Sequence, residues 1–241
     1  MCPLASWLPE NLLQSIALEN NLSETAFFLG NRGDYHLRWF TPTVEAQLCG
    51  HATLATAFVI FRFLEPTLSL LRFESLSGPL SVSRTGSDSY TLDFPLRDSE
   101  SFPPTHDLLT ALGGLTPQEC WKTSNGVQVA RLSSETEVAC FQPNWDAISR
   151  LQTSLILTAA GTDRDFVYRY FAPHQGIPED PVTGSAQCVL MPIWSRILGL
   201  QALRSRQLSA RGGELASSIR GTRVAITGNA RLSIQGKLSL P

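Results

Sequence analysis

Short segments in which apolar and polar residues alternate recur along the chain, and this alternation is typical of half-buried β-strands. In residues 36–40 and again in residues 166–171, successive side chains would point to opposite faces of a strand. Gly and Ser residues at 86–89 predict a hairpin turn between two of the strands. The other segments predicted as strands are 22–29, 68–75, 80–84, 90–94, 127–132, 154–159 and 224–227.

Apolar residues at helical spacing predict two central helices. Leu54, Phe58 and Phe61 share one face of the first helix, which follows Gly50. The second helix follows Gly184 and is predicted to stop at Gly199, a residue type that commonly ends helices. Shorter helices are predicted at 9–20, 106–112 and 145–151.

The chain contains one internal repeat. Residues 38–42 (RWFTP) and 49–53 (CGHAT) resemble residues 169–173 (RYFAP) and 183–187 (TGSAQ). Each copy predicts a strand, a loop, a glycine and a helix. Five-residue similarities do arise by chance, but this match continues through a glycine-led helix in both copies. We therefore favour an internal duplication that gives two pseudo-symmetric lobes.

These elements predict an α+β fold in which each lobe is a curved, mostly antiparallel sheet or barrel around a central helix. The N-terminal lobe is predicted at residues 1–98 and the C-terminal lobe at 105–228, joined by a Pro-containing linker at 97–105. Residues 229–241 are predicted to form a C-terminal strand that returns to the first lobe.

Composition narrows the possible partners. The 241 residues carry a formal net charge of −2 with scattered Lys and Arg, so neither nucleic acid nor an anionic membrane surface is expected. Five widely spaced cysteines without a CxxC motif argue against a disulfide framework and a zinc ribbon. The longest apolar run, 52–64, is too short to span a bilayer, and no signal peptide opens the chain. The expected location is the cytoplasm.

The two glycine-led helix starts are the first candidate binding feature. A helix N-terminus exposes unpaired N–H groups and carries about +0.5 of a unit charge. Gly50 and Gly184 would let a ligand approach the backbone closely, so two termini in one cleft would bind a small carboxylate. The alternative is that each glycine only permits a tight turn.

Ionisable residues flank both helix starts. His51 follows Gly50, while Glu179 and Asp180 precede Gly184. Glu24 lies where the first predicted helix gives way to a strand. A carboxylate and an imidazole in one cleft can move a proton between substrate atoms without a metal or cofactor. Each residue also has a structural alternative, as a solvated carboxylate, a first-turn helix residue or a turn-forming aspartate.

At these residues the chain resembles the PhzF-like (phenazine biosynthesis-like) isomerases. The similar segments follow the family's order over nearly the whole chain. They are NLSETAFF (21–28), RWFTP (38–42), LCGHATLA (48–55), RYFAP (169–173), EDPVTGSA (179–186) and ARGGEL (210–215).

The resemblance implies a diaminopimelate-epimerase-like fold and a cofactor-independent isomerase that transfers a proton on a small hydroxy-amino acid or related carboxylate. It implies that Glu24 is the acid/base and that His51 and Asp180 assist it and position the substrate. No metal or cofactor is expected. Separately, an exposed sheet edge in the first lobe would favour a homodimer. The predicted substrate-binding residues are Ser23, Gly50, Thr183, Gly184 and Ser185.

Two departures from the family pattern leave alternatives open. Family members begin with a strand and a Gly-Asn-Pro motif that precede the equivalent of Cys2, so the chain could be truncated, start late or be inactive. The related epimerases use two cysteines, where this chain has Cys49 and Thr183, which disfavours a two-thiol racemase. The alternatives are a lyase that uses Cys49 and Thr183 to remove water, and a non-catalytic ligand-binding or interaction protein.

Overall fold

Mostly antiparallel strands form one long curved sheet in the computed structural model, which describes residues 1–238. Two apolar helices, one in each lobe, pack against this sheet, so the predicted α+β class with two pseudo-symmetric lobes is confirmed. Among the described residues, no helix is both long and apolar enough to cross a membrane.

The first lobe contains seven strands, one short surface helix and one central helix. The surface helix buries Leu13, Ile16 and Ala17 and ends at Asn21, which adopts the left-handed conformation with φ 46°. The elements are β1 (Cys2–Pro3), α1 (Glu10–Asn20), β2 (Thr25–Asn31), β3 (Asp34–Phe40), β4 (Glu45–Ala46), α2 (Gly50–Val59), β5 (Leu70–Ser75), β6 (Gly78–Arg84) and β7 (Ser89–Pro95).

The central helix α2 is apolar around most of its circumference, as expected for a helix that a sheet encloses. Seven of its ten residues are buried, and the helix continues as a π-helical turn over Ile60–Leu64. The predicted apolar face is confirmed, because Leu54, Phe58 and Phe61 all lie in the core.

The second lobe repeats this plan around a second central helix. A 3₁₀ turn at Gly184–Ala186 leads into that helix, and Gly199 ends it with φ 71°, as predicted. The elements are β8 (Ser99–Ser101), α3 (His106–Ala111), β9 (Glu119–Thr123), β10 (Gln128–Arg131), α4 (Glu135–Cys140), α5 (Trp145–Arg150), β11 (Leu155–Ala160), β12 (Phe166–Ala172), β13 (Ile177–Glu179), α6 (Gln187–Leu198), β14 (Ala202–Gln207), β15 (Gly213–Arg220) and β16 (Arg223–Asn229).

The lobes join through β16, which pairs antiparallel with β7 over seven residue pairs. The strand order is β1-β2-β3-β5-β6-β7-β16-β15-β14-β12-β11-β10-β9-β8, with β4 beside β3 and β13 beside β12. One hydrophobic cluster contains buried residues of both α2 and α6. The two central helices therefore share a core that fixes one lobe against the other.

Two segments differ from their predicted roles. The predicted C-terminal strand at 229–241 is absent from 230–238, which form no strand, and residues 239–241 lie outside the described residues. The strand that returns to the first lobe is β16, which forms backbone hydrogen bonds along the edge of β7. The predicted linker at 97–105 contains β8, which pairs with β9 and so extends the sheet of the second lobe.

Candidate active site

The starts of the two central helices touch each other. A Cβ atom on Gly50 would lie 2.9 Å from Cα of Gly184 and 3.0 Å from the backbone nitrogen of Ser185. A Cβ atom on Gly184 would lie 3.3 Å from Cα of Gly50. The sequence predicts that these glycines let a ligand approach the backbone; in the structure they allow two backbones to meet across the lobes.

This contact places two helix N-termini side by side at one cleft. The N-terminal cap positions, Cys49 and Thr183, are both extended, and neither side chain caps its helix. The first N–H groups of a helix have no partner within the helix. Paired termini therefore present a cluster of donors and a positive partial charge to an anion in the cleft.

A carboxylate and an imidazole of the first lobe lie in contact at this cleft. Glu24, in the loop between α1 and β2, places its Oε2 atom 3.1 Å from Nε2 of His51, and its side chain is only 9% exposed. The Ser23 hydroxyl oxygen lies 3.2 Å from the same nitrogen. The Cys49 sulfur lies 3.7 Å from the other ring nitrogen, Nδ1. His51 thus bridges the loop before β2 and the start of α2.

Burial and these contacts set the protonation of the three groups. Burial raises the pKa of Glu24, but the close contact with His51 and the charge of His51 outweigh it and lower that pKa overall. Burial lowers the pKa of His51, yet Cys49 and Glu24 raise it well above its usual range. Burial raises the pKa of the Cys49 thiol to about 12. Near neutral pH the site holds an ion pair beside a protonated thiol.

The second lobe contributes a buried carboxylate. Asp180 is 5% exposed, and its Oδ2 atom accepts a hydrogen bond from the Thr183 hydroxyl at 2.5 Å. Its Oδ1 atom is buried and has no hydrogen-bond partner among residues 1–238. Burial raises the pKa of Asp180, and the negative charge of Glu24 adds to this effect. An unpartnered oxygen of this kind costs free energy unless a ligand satisfies it.

A buried glutamine that the sequence analysis missed holds this segment in place. The Gln207 side-chain amide donates to the Asp180 carbonyl and accepts from the Thr183 backbone N–H, both at 2.5 Å. Gln207 ends β14, a strand that is not among the segments predicted from the sequence. No local sequence signal distinguishes such a buried amide from a surface glutamine.

The cleft is open to solvent on one side, and the space within and directly above it is about 390 Å³. Seven of the eight predicted site residues line it, while Ser23 lies beside it in contact with His51. Tyr170, which the sequence analysis did not assign to the site, also lines the cleft. The seven lining residues are Glu24, Gly50, His51, Asp180, Thr183, Gly184 and Ser185.

Glu179, considered with Asp180 as an ionisable neighbour of the helix start, has a structural role. Its carboxylate forms two hydrogen bonds with the Arg169 guanidinium, at 2.7 and 2.9 Å. Arg169 is 8% exposed and also donates to the Phe141 carbonyl at 2.6 Å. This pair fixes β13 to β12 and so positions Asp180, the next residue.

Comparison with known proteins identifies the family. Residues 1–236 match the sequence model of the PhzC-PhzF family, described as phenazine biosynthesis-like protein. The chain belongs to this family. It is 46% identical over 241 residues to an uncharacterized isomerase of Pseudomonas aeruginosa, covering 100% of this chain and 92% of that protein. The family is isomerase-like, in agreement with the resemblance on which the sequence analysis relied.

Solved structures agree with this assignment. The crystal structure of a PhzF-family protein from Enterococcus faecalis superposes with a TM-score of 0.90 at 42% identity, covering 99% of this chain and 91% of that one. A probable proline racemase from Agrobacterium radiobacter shares the fold, with a TM-score of 0.58 at 12% identity, covering 94% and 81%. The PhzF-family chain therefore has the fold of the epimerases and racemases.

Proposed function

We propose that this PhzF-family protein is a cofactor-independent isomerase that moves a proton on a small hydroxy-amino acid or related carboxylate. Glu24 acts as the acid/base. The observation that carries the proposal is the 3.1 Å contact between the Glu24 carboxylate and the His51 imidazole beside two helix N-termini. The Glu24 carboxylate, the His51 imidazolium and the N–H groups of the two helix starts would then all contact a substrate bound in the cleft.

Each part of the cleft has a distinct task in this mechanism. The substrate carboxylate binds the N–H groups at Gly50 and Gly184. Glu24 removes a proton from carbon and returns it to another position of the conjugated substrate. His51 stabilises the negative charge that develops and keeps Glu24 ionised. Asp180 offers its unpartnered Oδ1 atom to a polar substituent of the substrate.

Strand register supports a single base rather than two. Glu24 directly precedes Thr25, which pairs with Phe40. At the equivalent place in the second lobe, Ser154 directly precedes Leu155, which pairs with Phe171. The position that carries a carboxylate in the first lobe therefore carries a serine in the second, and a serine hydroxyl is a poor base near neutral pH. This asymmetry favours proton return by Glu24 itself.

The lyase alternative has less support. A dehydratase that uses Cys49 and Thr183 needs groups that gain or lose protons readily. Burial raises the pKa of the Cys49 thiol to about 12, and the Thr183 hydroxyl is engaged as a donor to Asp180. The non-catalytic alternative predicts ligand binding without turnover, so the same assay tests it.

The experiment follows exchange of carbon-bound hydrogen by NMR in D₂O. The purified protein is incubated with a panel of small aliphatic and aromatic hydroxy-amino acids. We expect the wild type to isomerise at least one of them, and Glu24→Gln to slow this reaction by about 10²–10⁴-fold, the usual loss when a general base is removed.

The matched control is Glu10→Gln, which alters an exposed glutamate of α1 outside the cleft. It should retain the wild-type rate. The proposal fails if Glu24→Gln turns over as fast as the wild type. It also fails if the wild type binds panel members, as measured by calorimetry, but neither exchanges nor isomerises any of them, which is the non-catalytic outcome.

A further inference from the structure

We propose that Glu24, Cys49 and His51 together bind a thiophilic divalent cation such as Zn²⁺, and that the bound ion inhibits the protein. A carboxylate oxygen, a thiol sulfur and an imidazole nitrogen of these residues all lie within 4.8 Å of one another. These are the three ligand types that zinc prefers in proteins. Sequence spacing did not reveal the set, because its members come from two separate segments.

The distances between the ligand atoms suit one ion. Zinc bonds of about 2.0–2.3 Å place the ligand atoms of a tetrahedral site about 3.3–3.8 Å apart. In the structure, Nε2 of His51 lies 3.1 Å from Oε2 of Glu24 and 4.0 Å from Sγ of Cys49. The ligand atoms of Glu24 and Cys49 lie within 4.8 Å of each other, so shifts of up to about 1 Å would bring the three atoms to the corners of one coordination tetrahedron, with the fourth position open to the cleft.

A second observation points to a ligand at this place. The Oδ1 atom of Asp180, a residue that is 95% buried and lines the same cleft, has no hydrogen-bond partner. A water molecule on the open position of a bound ion would offer it a donor. The polar groups of the cleft are thus better satisfied with an occupant than without one.

Binding and inhibition have separate consequences. On binding, the Cys49 thiol and the His51 imidazolium each release one proton to solvent, and the thiolate sulfur and the freed Nε2 atom form bonds to the cation. The binding step does not depend on the proposed isomerase function. Inhibition does rest on it, because the ion would occupy the Glu24 oxygen that must accept the substrate proton.

The test uses Co²⁺, which reports on its ligands by absorption. The experiment starts from the 241-residue chain in which the accessible cysteines, Cys2 and Cys140, are changed to Ser, so that they cannot bind the ion. We expect one equivalent of Co²⁺ to give a thiolate charge-transfer band and the intense visible bands of a four-coordinate site. Zn²⁺ should displace the Co²⁺ and abolish the absorption.

Two buried cysteines provide a matched pair of variants. Cys49→Ala should remove the charge-transfer band and weaken Co²⁺ binding by at least about 100-fold, since a direct ligand is lost. Cys188→Ala, a buried thiol of α6, should leave the spectrum unchanged. Circular dichroism shows whether each variant is folded. His51→Gln provides a second ligand variant and should also shift the visible bands.

The outcomes separate this proposal from the proposed function. The metal site is ruled out if the protein that retains both Cys49 and Cys188 gives no thiolate band. It is also ruled out if the band persists in Cys49→Ala. If the band appears but Glu24→Gln retains full exchange activity, the site stands and the catalytic role of Glu24 fails. Inhibition is supported if Zn²⁺ stops hydrogen exchange in the wild type and EDTA restores it. In Cys49→Ala, the exchange rate with Zn²⁺ should then equal the rate of the same variant without metal. A Zn²⁺-insensitive wild type overturns it.

Discussion

The two lobes share one supporting frame. In the first, Arg38 forms two 2.7 Å hydrogen bonds with Glu45 and stacks over Phe40. In the second, Arg169 forms the same pair with Glu179 and stacks over Phe171. In both lobes the arginine lies on the strand before the glycine-led helix, and the glutamate lies on the short strand that pairs with it. Both lobes therefore contain the same arginine–glutamate brace.

The residues that face the cleft differ between the lobes. Glu24 corresponds by register to Ser154. Ala46 and Asp180 both follow the brace glutamate and both precede the helix glycine by four residues. Cys49 corresponds to Thr183, and His51 to Ser185. The comparison shows that the two lobes share the frame but not the groups at the cleft: the first lobe places a carboxylate and an imidazole there, and the second places hydroxyls and a buried aspartate.

The largest expected effect comes from breaking the two braces. Arg169→Met should destabilise the protein by about 3–5 kcal/mol, because Arg169 is the more buried arginine and its loss leaves both the Glu179 carboxylate and the buried Phe141 carbonyl without a partner. Arg38→Met should cost about 1 kcal/mol, because the Arg38 side chain is 25% exposed and water partly compensates. Urea unfolding of both variants measures the difference. Equal losses would show that the two braces are energetically alike.

The helix contact should give an intermediate effect. Gly50→Ala places a Cβ atom 2.9 Å from the backbone of the other lobe, and overpacking of this kind costs about 1–3 kcal/mol. Gly184→Ala places its Cβ atom at 3.3 Å and should cost less than about 1 kcal/mol, since alanine also favours helix. Thermal unfolding measures the stability of both variants, and the hydrogen-exchange assay measures their activity. A reversed order would contradict the close packing at Gly50.

The cap positions should give the smallest effect and distinguish isomerase from lyase. Thr183→Val should slow exchange about tenfold, because it removes a hydrogen bond that holds the Asp180 carboxylate. Cys49→Ala should change the rate by less than about threefold in metal-free buffer, since the proposed proton transfer does not use the thiol. A loss of about 100-fold or more in Cys49→Ala would favour the lyase.

Local sequence patterns predict the helices whose positions depend on apolar spacing and on the residues that end them. The helices at 10–20 and 187–198 follow from apolar spacing and a suitable end at Asn21 or Gly199. Helix α4 was missed although its start carries a capping signal: the Ser134 hydroxyl accepts from the Glu137 N–H, and the Glu137 carboxylate accepts from the Ser133 N–H. That signal was available in the sequence.

Local sequence patterns do not predict which strands pair when they lie far apart in the chain. Strand β16 pairs with β7, which lies more than a hundred residues earlier in the chain. Local patterns do not reveal such a partner, so the sequence predicts the strand that returns to the first lobe at 229–241 instead of at β16. Strand β8 has only three residues, and its pairing with β9 gives no periodic signal of its own. In the site, motifs located the charged groups, but the contact between Gly50 and Gly184 depends on how two complete lobes pack.

The central claim is that one lobe alone supplies the base, and the most direct test follows the face on which the proton moves. A panel substrate that the wild type turns over is deuterated stereospecifically at the reacting carbon and converted in H₂O. NMR then locates the new carbon–hydrogen bond. We predict delivery on the face that lost its hydrogen, with part of the deuterium carried over by Glu24. Delivery on the opposite face would require a second base and would contradict the account.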